Sequence, residues 1–148
     1  MTAAWVIGGN GLLGSALQRV LRSRGVNLFV PAVRFCWGNE PELSVQLEAA
    51  VKAFSAFVGI EERWQIYWAA GVGTMGSTES VLAVETRTLS KVLDLVESDP
   101  GLTAEKGCLA LSSSAGAIYA GATDDVITEN TPVAPTTAYA HEKLKQEN

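Results

Sequence analysis

The sequence of 148 residues has little of what several common classes of protein need. It has 11 Lys and Arg against 16 Asp and Glu, and the basic residues are scattered, so no nucleic-acid surface is expected. Its two cysteines, Cys36 and Cys108, are far apart and predict neither a disulfide framework nor a zinc site; we expect both to be buried. No apolar run is long enough to cross a membrane and no basic segment precedes the first one, so we expect a cytoplasmic protein.

Apolar residues are plentiful, at 47%, so the chain can bury a core and is expected to form one domain over residues 1–148. Short apolar runs, typical of buried strands, alternate with longer stretches in which apolar residues recur at helical spacing. This order predicts a parallel sheet with crossover helices on both faces, the doubly wound α/β fold of Rossmann-type domains. Strands are expected at Ala3–Ile7, Asn27–Val33, Trp64–Ala69 and Lys106–Leu111, and helices at residues 13–25, Glu40–Phe57, Thr78–Val96 and from Pro135–Thr137 onward.

The second strand and the segment after it are the least regular part of the pattern. Pro31 lies inside the predicted strand and has no backbone N–H donor, which indicates an irregularity or a position at the sheet edge. A third strand has little room except around Arg34–Trp37. Before the second strand, Gly25 is expected to end the first helix.

A glycine-rich turn with the spacing G-x-x-G-x-x-G follows the first strand and opens the first helix. Gly8 would permit the tight turn, Gly11 would let the backbone approach a pyrophosphate, and Gly14 would allow close packing of helix and strand. The helix N-terminus adds amide donors and the positive end of the helix dipole. The alternative is a turn without a ligand. The predicted phosphate-binding residues are Gly8, Asn10, Gly11, Leu12, Leu13 and Gly14.

The choice between two dinucleotides is predicted from the end of the second strand. No Asp or Glu stands there to bind the ribose hydroxyls of NAD, whereas Arg34 does and could bind a 2′-phosphate. The pattern therefore favours NADP over NAD. A solvated Arg34 without this function is the alternative.

Tyr139 and Lys143 are four residues apart on the last predicted helix, which places them on one face. A phenol ionises only at about pH 10 on its own, and a neighbouring ammonium stabilises the phenolate. The pair therefore suits acid/base chemistry, and Lys143 could also hold ribose hydroxyls. Ser113 and Ser114 follow the fourth strand, where open α/β sheets bind ligands, and could bind a substrate oxygen or the loop backbone.

These motifs together resemble the extended short-chain dehydrogenases/reductases, the NAD(P)-dependent epimerase/dehydratase family, over nearly the whole chain. The resemblance implies that Tyr139 is a general acid/base, that Lys143 is its partner and a ribose ligand, and that Ser113 or Ser114 orients the substrate. It also implies that residues 69–71 line the ribose path of NADP or NAD. The matching segments are Ile7–Gly14, Ile66–Gly71 with Ala69, Ala70 and Gly71, Ser112–Tyr119, and Thr128–Pro132 with Tyr139 and Lys143.

Three features depart from the pattern of this family. Ala115 stands where the family has its catalytic Ser or Thr, so Ser114 would have to substitute for it. The Asn often found early in the long helix is replaced near Glu85, and the third strand is short or missing. The sequence also ends at Asn148, inside the expected catalytic helix. We therefore expect either a fragment of a longer enzyme, without the region that recognises the substrate, or a shortened relative.

The resemblance implies hydride transfer between a nicotinamide and a carbon that bears a hydroxyl or a ketone, in an oxidoreductase, epimerase or dehydratase of nucleotide sugars. We expect no activity from the 148 residues without the substrate region. The alternative is a regulatory or sensor module that binds NADP without chemistry: Tyr139 and Lys143 favour the enzyme, and Ala115 favours the sensor. His141 lies between the pair on another helix face and is expected to be a surface residue.

Members of this branch commonly pair through the long helix and the catalytic helix, so the resemblance implies a homodimer. The apolar positions of the long helix could form that interface or pack on the sheet, and the sequence does not separate the two. These positions are Val81, Leu82, Leu89 and Leu93.

Overall fold

A computed structural model of the chain describes residues 1–59, 63–74 and 76–148. Four strands form one parallel sheet in the order β2-β1-β3-β4, with helices between successive strands, which confirms the predicted Rossmann-type α/β fold. The elements are β1 (Thr2–Ile7), α1 (Leu12–Ser23), β2 (Asn27–Phe29), α2 (Glu40–Val58), β3 (Arg63–Trp68), α3 (Glu79–Ser98), β4 (Gly107–Leu111), α4 (Ala115–Ile118) and α5 (Ala138–Glu147).

The central strand β1 is buried from Ala3 to Ile7 because both faces of the sheet are covered there. On one face, Ala4 and Val6 pack in a cluster with Leu21 of α1. On the other, the Trp5 ring lies 5.7 Å from that of Phe54 on α2, measured between centroids. The sheet thus holds α1 and α2 through opposite faces of one strand, as the apolar run predicts for a strand buried on both sides.

The ends of the helices follow the local sequence. Helix α1 ends at Ser23, and Gly25, the predicted stop, follows with a left-handed φ of +71°. The Gly25 amide donates to the Arg22 carbonyl at 3.0 Å, and the Val26 amide donates to the Leu21 carbonyl at 3.0 Å. Helix α5 begins after Thr137, whose side chain accepts a 3.1 Å hydrogen bond from the Ala140 amide. The predicted start of the last helix is therefore confirmed.

Strand β2 is shorter than predicted, because it ends at Phe29 rather than Val33. It pairs with β1 alone at the edge of the sheet, and Pro31, which has no amide to donate, lies beyond its end. Residues 30–39 are all described and contain no strand, so a third strand is missing from this segment. The prediction that Arg34 ends the second strand is therefore wrong. Arg34 lies in the loop before α2.

The expected burial of both cysteines is wrong. Cys36 is half-buried in the loop before α2, and Cys108 is exposed on β4. Alternate residues of β4, Cys108 and Ala110, point to a face of that strand that the described part of the chain does not cover.

The chain divides into two compact units. The first unit comprises Met1–Gly71 and Ser90–Ser112 and contains the sheet; the second comprises Val72–Leu89 and Ser113–Asn148 and contains α4 and α5. The prediction of a single domain over residues 1–148 stays a prediction. None of the helices described is both long and apolar enough to span a membrane.

The apolar positions of α3 divide into two pairs. Leu82 and Leu89 are buried, whereas Val81 and Leu93 are about half exposed. Packing within the chain therefore accounts for two of the four positions, and the homodimer stays a prediction.

Candidate functional site

The glycine-rich turn of the first unit joins the end of β1 to the start of α1. Gly8 has φ +86°, a left-handed conformation that favours glycine, and its carbonyl accepts a 3.0 Å hydrogen bond from the Gly11 amide. Gly11 is extended, and its carbonyl accepts the first helical bond from the Ser15 amide at 2.9 Å. The strand therefore reverses within four residues and enters the helix directly.

Packing requires two of the three glycines of the G-x-x-G-x-x-G motif and leaves the third free to carry a side chain. A Cβ at Gly8 would lie 2.5 Å from the Ala70 amide nitrogen, and one at Gly14 would overlap the Gly8 carbonyl, so packing excludes a side chain at both positions. A Cβ at Gly11 would meet only the Gly8 carbonyl oxygen, at 3.4 Å, which is an ordinary contact. The packing of the protein thus leaves Gly11 open.

The start of α1 is exposed and carries no negative charge. Asn10, Gly11 and Leu13 are exposed, the Leu12 side chain is 92% exposed, and the first turn of the helix contains no acidic residue. The first amides of a helix have no partner within it, and they are aligned with the positive end of its dipole. An open glycine beside such amides fits the phosphates of a dinucleotide.

Residues 69–71 belong to the same unit and pass beside the turn. The Ala69 amide donates to the Ile7 carbonyl at 2.9 Å, which continues the β1–β3 ladder to the end of the sheet. Ala69 and Ala70 are half-buried against Gly8, and Gly71 is exposed. The structure therefore brings Ala69 and Ala70 together with the predicted phosphate turn, and Gly71 is the next residue in the chain.

Arg34 is exposed on the loop between β2 and α2. This loop is held to α2 by the Cys36 amide, which donates to the Gln46 side-chain oxygen at 2.8 Å. Trp37, which sequence reasoning did not single out, lies on the same loop, 43% exposed, with its ring centroid 6.3 Å from that of Trp68. Arg34 thus stands on a loop that is anchored at Cys36 and at Trp37.

Tyr139 and Lys143 lie on one face of α5 in the second unit, as their spacing predicts. The Lys143 ammonium nitrogen is 5.7 Å from the centroid of the Tyr139 ring, within the range of a cation–π interaction. Lys143 is buried and Tyr139 is half-buried. The ammonium therefore stands beside the phenol out of bulk water, where a charge acts strongly.

Lys143 also has a carboxylate partner, which sequence reasoning did not predict. Its Nζ donates to Oε1 of Glu85 on α3 at 2.9 Å and to Oε1 of Gln146 at 3.0 Å. Glu85 could be found from the sequence only as the residue that replaces the family's Asn.

Glu142, on α5, is another carboxylate of this unit, and it is buried. The sequence alone does not indicate a function for it. Its Oε2 accepts a 2.7 Å hydrogen bond from the Thr86 hydroxyl, and its Oε1 accepts one from Lys145. The Lys145 ammonium, with a smaller contribution from the Thr86 hydroxyl, holds the pKa of Glu142 below its usual value despite burial of the carboxyl. Glu142 therefore joins α5 to α3 as a carboxylate.

The serines after β4 differ in their hydrogen bonds. The Ser113 hydroxyl donates to the Glu147 carboxylate, two turns beyond Tyr139 on α5. Ser114 caps α4 through its carbonyl, which accepts from the Ala117 and Ile118 amides at 3.0 Å, and its side chain makes no capping bond. His141 is exposed. In the described residues, no group of three or more His, Cys, Asp or Glu is arranged to hold a metal ion.

Comparison with known families identifies the class of protein. The sequence profile of the "NAD dependent epimerase/dehydratase family" matches residues 4–148. The chain belongs to this family, which confirms the resemblance derived from its motifs. A comparison with curated protein sequences gave no significant match.

Solved structures of low sequence identity share the fold. RMD from Pseudomonas aeruginosa, complexed with NADPH, is 18% identical, with a TM-score of 0.72 over 99% of this chain and 46% of that one. UDP-glucose 4-epimerase from Thermus thermophilus, complexed with NAD, is 18% identical, with a TM-score of 0.70 over 99% and 49% of the chains. TunA, an NAD-dependent NDP-hexosamine 5,6-dehydratase of tunicamycin biosynthesis, is 16% identical, with a TM-score of 0.65 over 98% and 47%. The chain thus spans about half the length of these proteins.

Proposed function

We propose that the chain carries the dinucleotide site and the acid/base pair of an NAD(P)-dependent epimerase, dehydratase or reductase that acts on a nucleotide sugar. The observation that carries the proposal is the open position at Gly11, between two glycines that packing requires. Family membership supports the dinucleotide, and the structural neighbours that act on UDP-glucose or an NDP-hexosamine support the substrate class.

In this proposal the first unit binds the dinucleotide. The backbone of residues 8–14, with Asn10, Leu12 and Leu13, holds the pyrophosphate at the exposed N-terminus of α1, and residues 69–71 line the path of a ribose. Arg34 binds the 2′-phosphate of NADP, which it favours over NAD because a guanidinium recognises phosphate oxygens with paired donors. Its exposure on an anchored loop supports this preference.

The second unit supplies the acid/base chemistry. A nicotinamide dinucleotide held by the first unit would supply the hydride chemistry at a carbon of the sugar. Tyr139 takes the proton from the hydroxyl on that carbon in oxidation and returns it in reduction, and the Lys143 ammonium stabilises the phenolate between these steps. Lys143 also binds ribose hydroxyls. Ser114 orients the sugar oxygen, because the Ser113 hydroxyl is bonded to Glu147.

A second candidate function is a sensor that binds NADP without chemistry. It is favoured by Ala115, which occupies the place of the family's Ser or Thr. The two candidates differ in turnover rather than in cofactor binding.

Turnover of sugar nucleotides, beginning with UDP-glucose, tests the choice between these functions when it is measured on a form of the protein that includes a substrate-binding region. Product is measured by chromatography and the redox state of the nicotinamide by absorbance. Tyr139→Phe should lower turnover about 100-fold or more with unchanged stability. Tyr67→Phe, which removes a hydroxyl bonded to Gln65 in the sheet, is the matched control. Equal turnover by Tyr139→Phe would overturn the acid/base assignment, and NADPH binding without turnover of any sugar nucleotide would favour the sensor.

A further inference from the structure

Glu85 forms an ion pair with Lys143 that is nearly removed from water. The Oε1–Nζ distance is 2.9 Å, and the two side chains are only 12% and 10% exposed. Both residues lie in the second unit, where Gln146 strengthens the pair: its side-chain nitrogen donates to Thr86 at 3.2 Å and its oxygen accepts from Lys143. The pair is therefore part of a network that joins α3 to α5.

The ammonium has three donors, and Glu85 and Gln146 take two of them. The other buried carboxylate on this side of α5, Glu142, is bonded to Thr86 and Lys145. Glu85 is thus the carboxylate that fixes the direction of the Lys143 side chain. An Asn at residue 85 could accept a hydrogen bond but could not balance a buried positive charge, so Glu changes the electrostatics of the pair.

We propose that Glu85 is a positioning residue for the reaction: its carboxylate holds the Lys143 ammonium beside the Tyr139 ring. The acid/base group of this protein is then a Tyr–Lys–Glu triad, in which Glu85 acts through Lys143 and does not touch the substrate. The ligand that Lys143 binds is taken from the proposed function, and that part of the inference rests on it. The contact between Glu85 and Lys143 rests on the ion pair alone.

The test compares Glu85→Gln, Lys143→Met, the double variant and Glu97→Gln. Gln keeps the size of Glu and can accept a hydrogen bond, but it removes the charge; Glu97→Gln makes the same change at an exposed site of α3. The first readout needs no cofactor. It is the rate at which Lys143 is acetylated by N-hydroxysuccinimidyl acetate, measured by peptide mass spectrometry relative to the exposed Lys52.

In the unmodified protein Lys143 should react more slowly than Lys52, because it is buried as an ammonium. In Glu85→Gln the ammonium has lost its ion-pair partner and the side chain is held less firmly in its buried position, so the relative rate should rise about threefold or more. Glu97→Gln should match the unmodified protein. An unchanged rate in Glu85→Gln would overturn the proposed hold on Lys143.

The second readout is affinity for NADPH and for ADP, which lacks the nicotinamide ribose. Glu85→Gln should weaken NADPH binding about tenfold and leave ADP binding within about twofold, and Lys143→Met should add little to this loss in the double variant. Equal losses for NADPH and ADP would show a merely structural effect. An unchanged NADPH affinity in Glu85→Gln, together with a loss in Lys143→Met, would also overturn the proposal. If the unmodified protein binds neither ligand, the proposed function fails, and the acetylation rates still decide whether Glu85 holds Lys143.

Discussion

Gly14 lies directly against the carbonyl group of Gly8, so a Cβ at residue 14 would overlap the carbonyl oxygen. This contact fixes the first turn of α1 on the end of β1 and sets the course of the chain between them. Gly11 is exposed, and although its amide donates to the same Gly8 carbonyl at 3.0 Å, its Cβ position makes only an ordinary contact there. The protein's own packing therefore shapes the turn and leaves the Gly11 position open.

The first prediction separates the two kinds of glycine by stability. Gly14→Ala should lower the free energy of unfolding by about 1–3 kcal/mol, because the added methyl overlaps backbone that cannot move freely. Gly11→Ala should cost less than about 1 kcal/mol, since its extended conformation suits Ala and its Cβ has room. Urea unfolding followed by Trp fluorescence measures both. Equal losses of unfolding free energy in the two variants would show that the contact between Gly14 and the Gly8 carbonyl does not restrict the turn.

The second prediction concerns the choice of dinucleotide. Arg34→Ala should weaken NADPH binding about tenfold and leave NADH binding unchanged, because only NADPH carries the 2′-phosphate that a guanidinium would bind. Arg24→Ala, at an exposed position after α1, is the control for loss of one positive charge. An equal effect of Arg34→Ala on both dinucleotides would remove the argument for NADP.

The third prediction follows from the lowered pKa of Glu142. A carboxyl whose pKa is lower in the folded state stabilises the fold above the pKa of the unfolded chain, about 4.3, and loses this contribution as the pH falls through the folded value. Glu142→Gln should therefore be less stable than the unmodified protein at neutral pH, by about 1–3 kcal/mol.

The difference between Glu142→Gln and the unmodified protein should shrink as acid protonates the native carboxyl. Urea unfolding between neutral pH and the acid limit of the folded state measures it. Glu97→Gln, at an exposed site, should show a small difference throughout. A difference for Glu142→Gln that stays constant down to the lowest pH would show that its contribution does not depend on charge.

The parts of the molecule that could be predicted depend on short stretches of sequence. The apolar run at Ala3–Ile7, the glycines of the first turn and the four-residue spacing of Tyr139 and Lys143 each define a local geometry. Backbone conformation and helical periodicity then determine the local positions of these side chains independently of contacts with distant parts of the chain. The fold and the two halves of the candidate site were therefore accessible from the sequence.

The features that could not be predicted join residues far apart in the chain. Glu85 and Lys143 are separated by 58 positions and Thr86 and Glu142 by 56, so no spacing rule connects them. Cys108 is predicted to be buried as a small apolar residue, but it is exposed, because burial depends on what covers its strand. The early end of β2 could be predicted only in part. Pro31 indicates an irregularity in the strand but does not determine the residue at which pairing stops.

The most direct test of the central claim is calorimetric titration of the protein, Gly11→Ala and Gly38→Ala with NADPH and with NADH. Gly38 has no atom within 4 Å of its Cβ position and serves as a matched control. We predict saturable binding by the unmodified protein and Gly38→Ala, and affinity reduced about tenfold or more in Gly11→Ala at nearly unchanged stability. If the folded protein binds neither dinucleotide, or if Gly11→Ala binds them as well as the unmodified protein, the glycine turn is not the dinucleotide site.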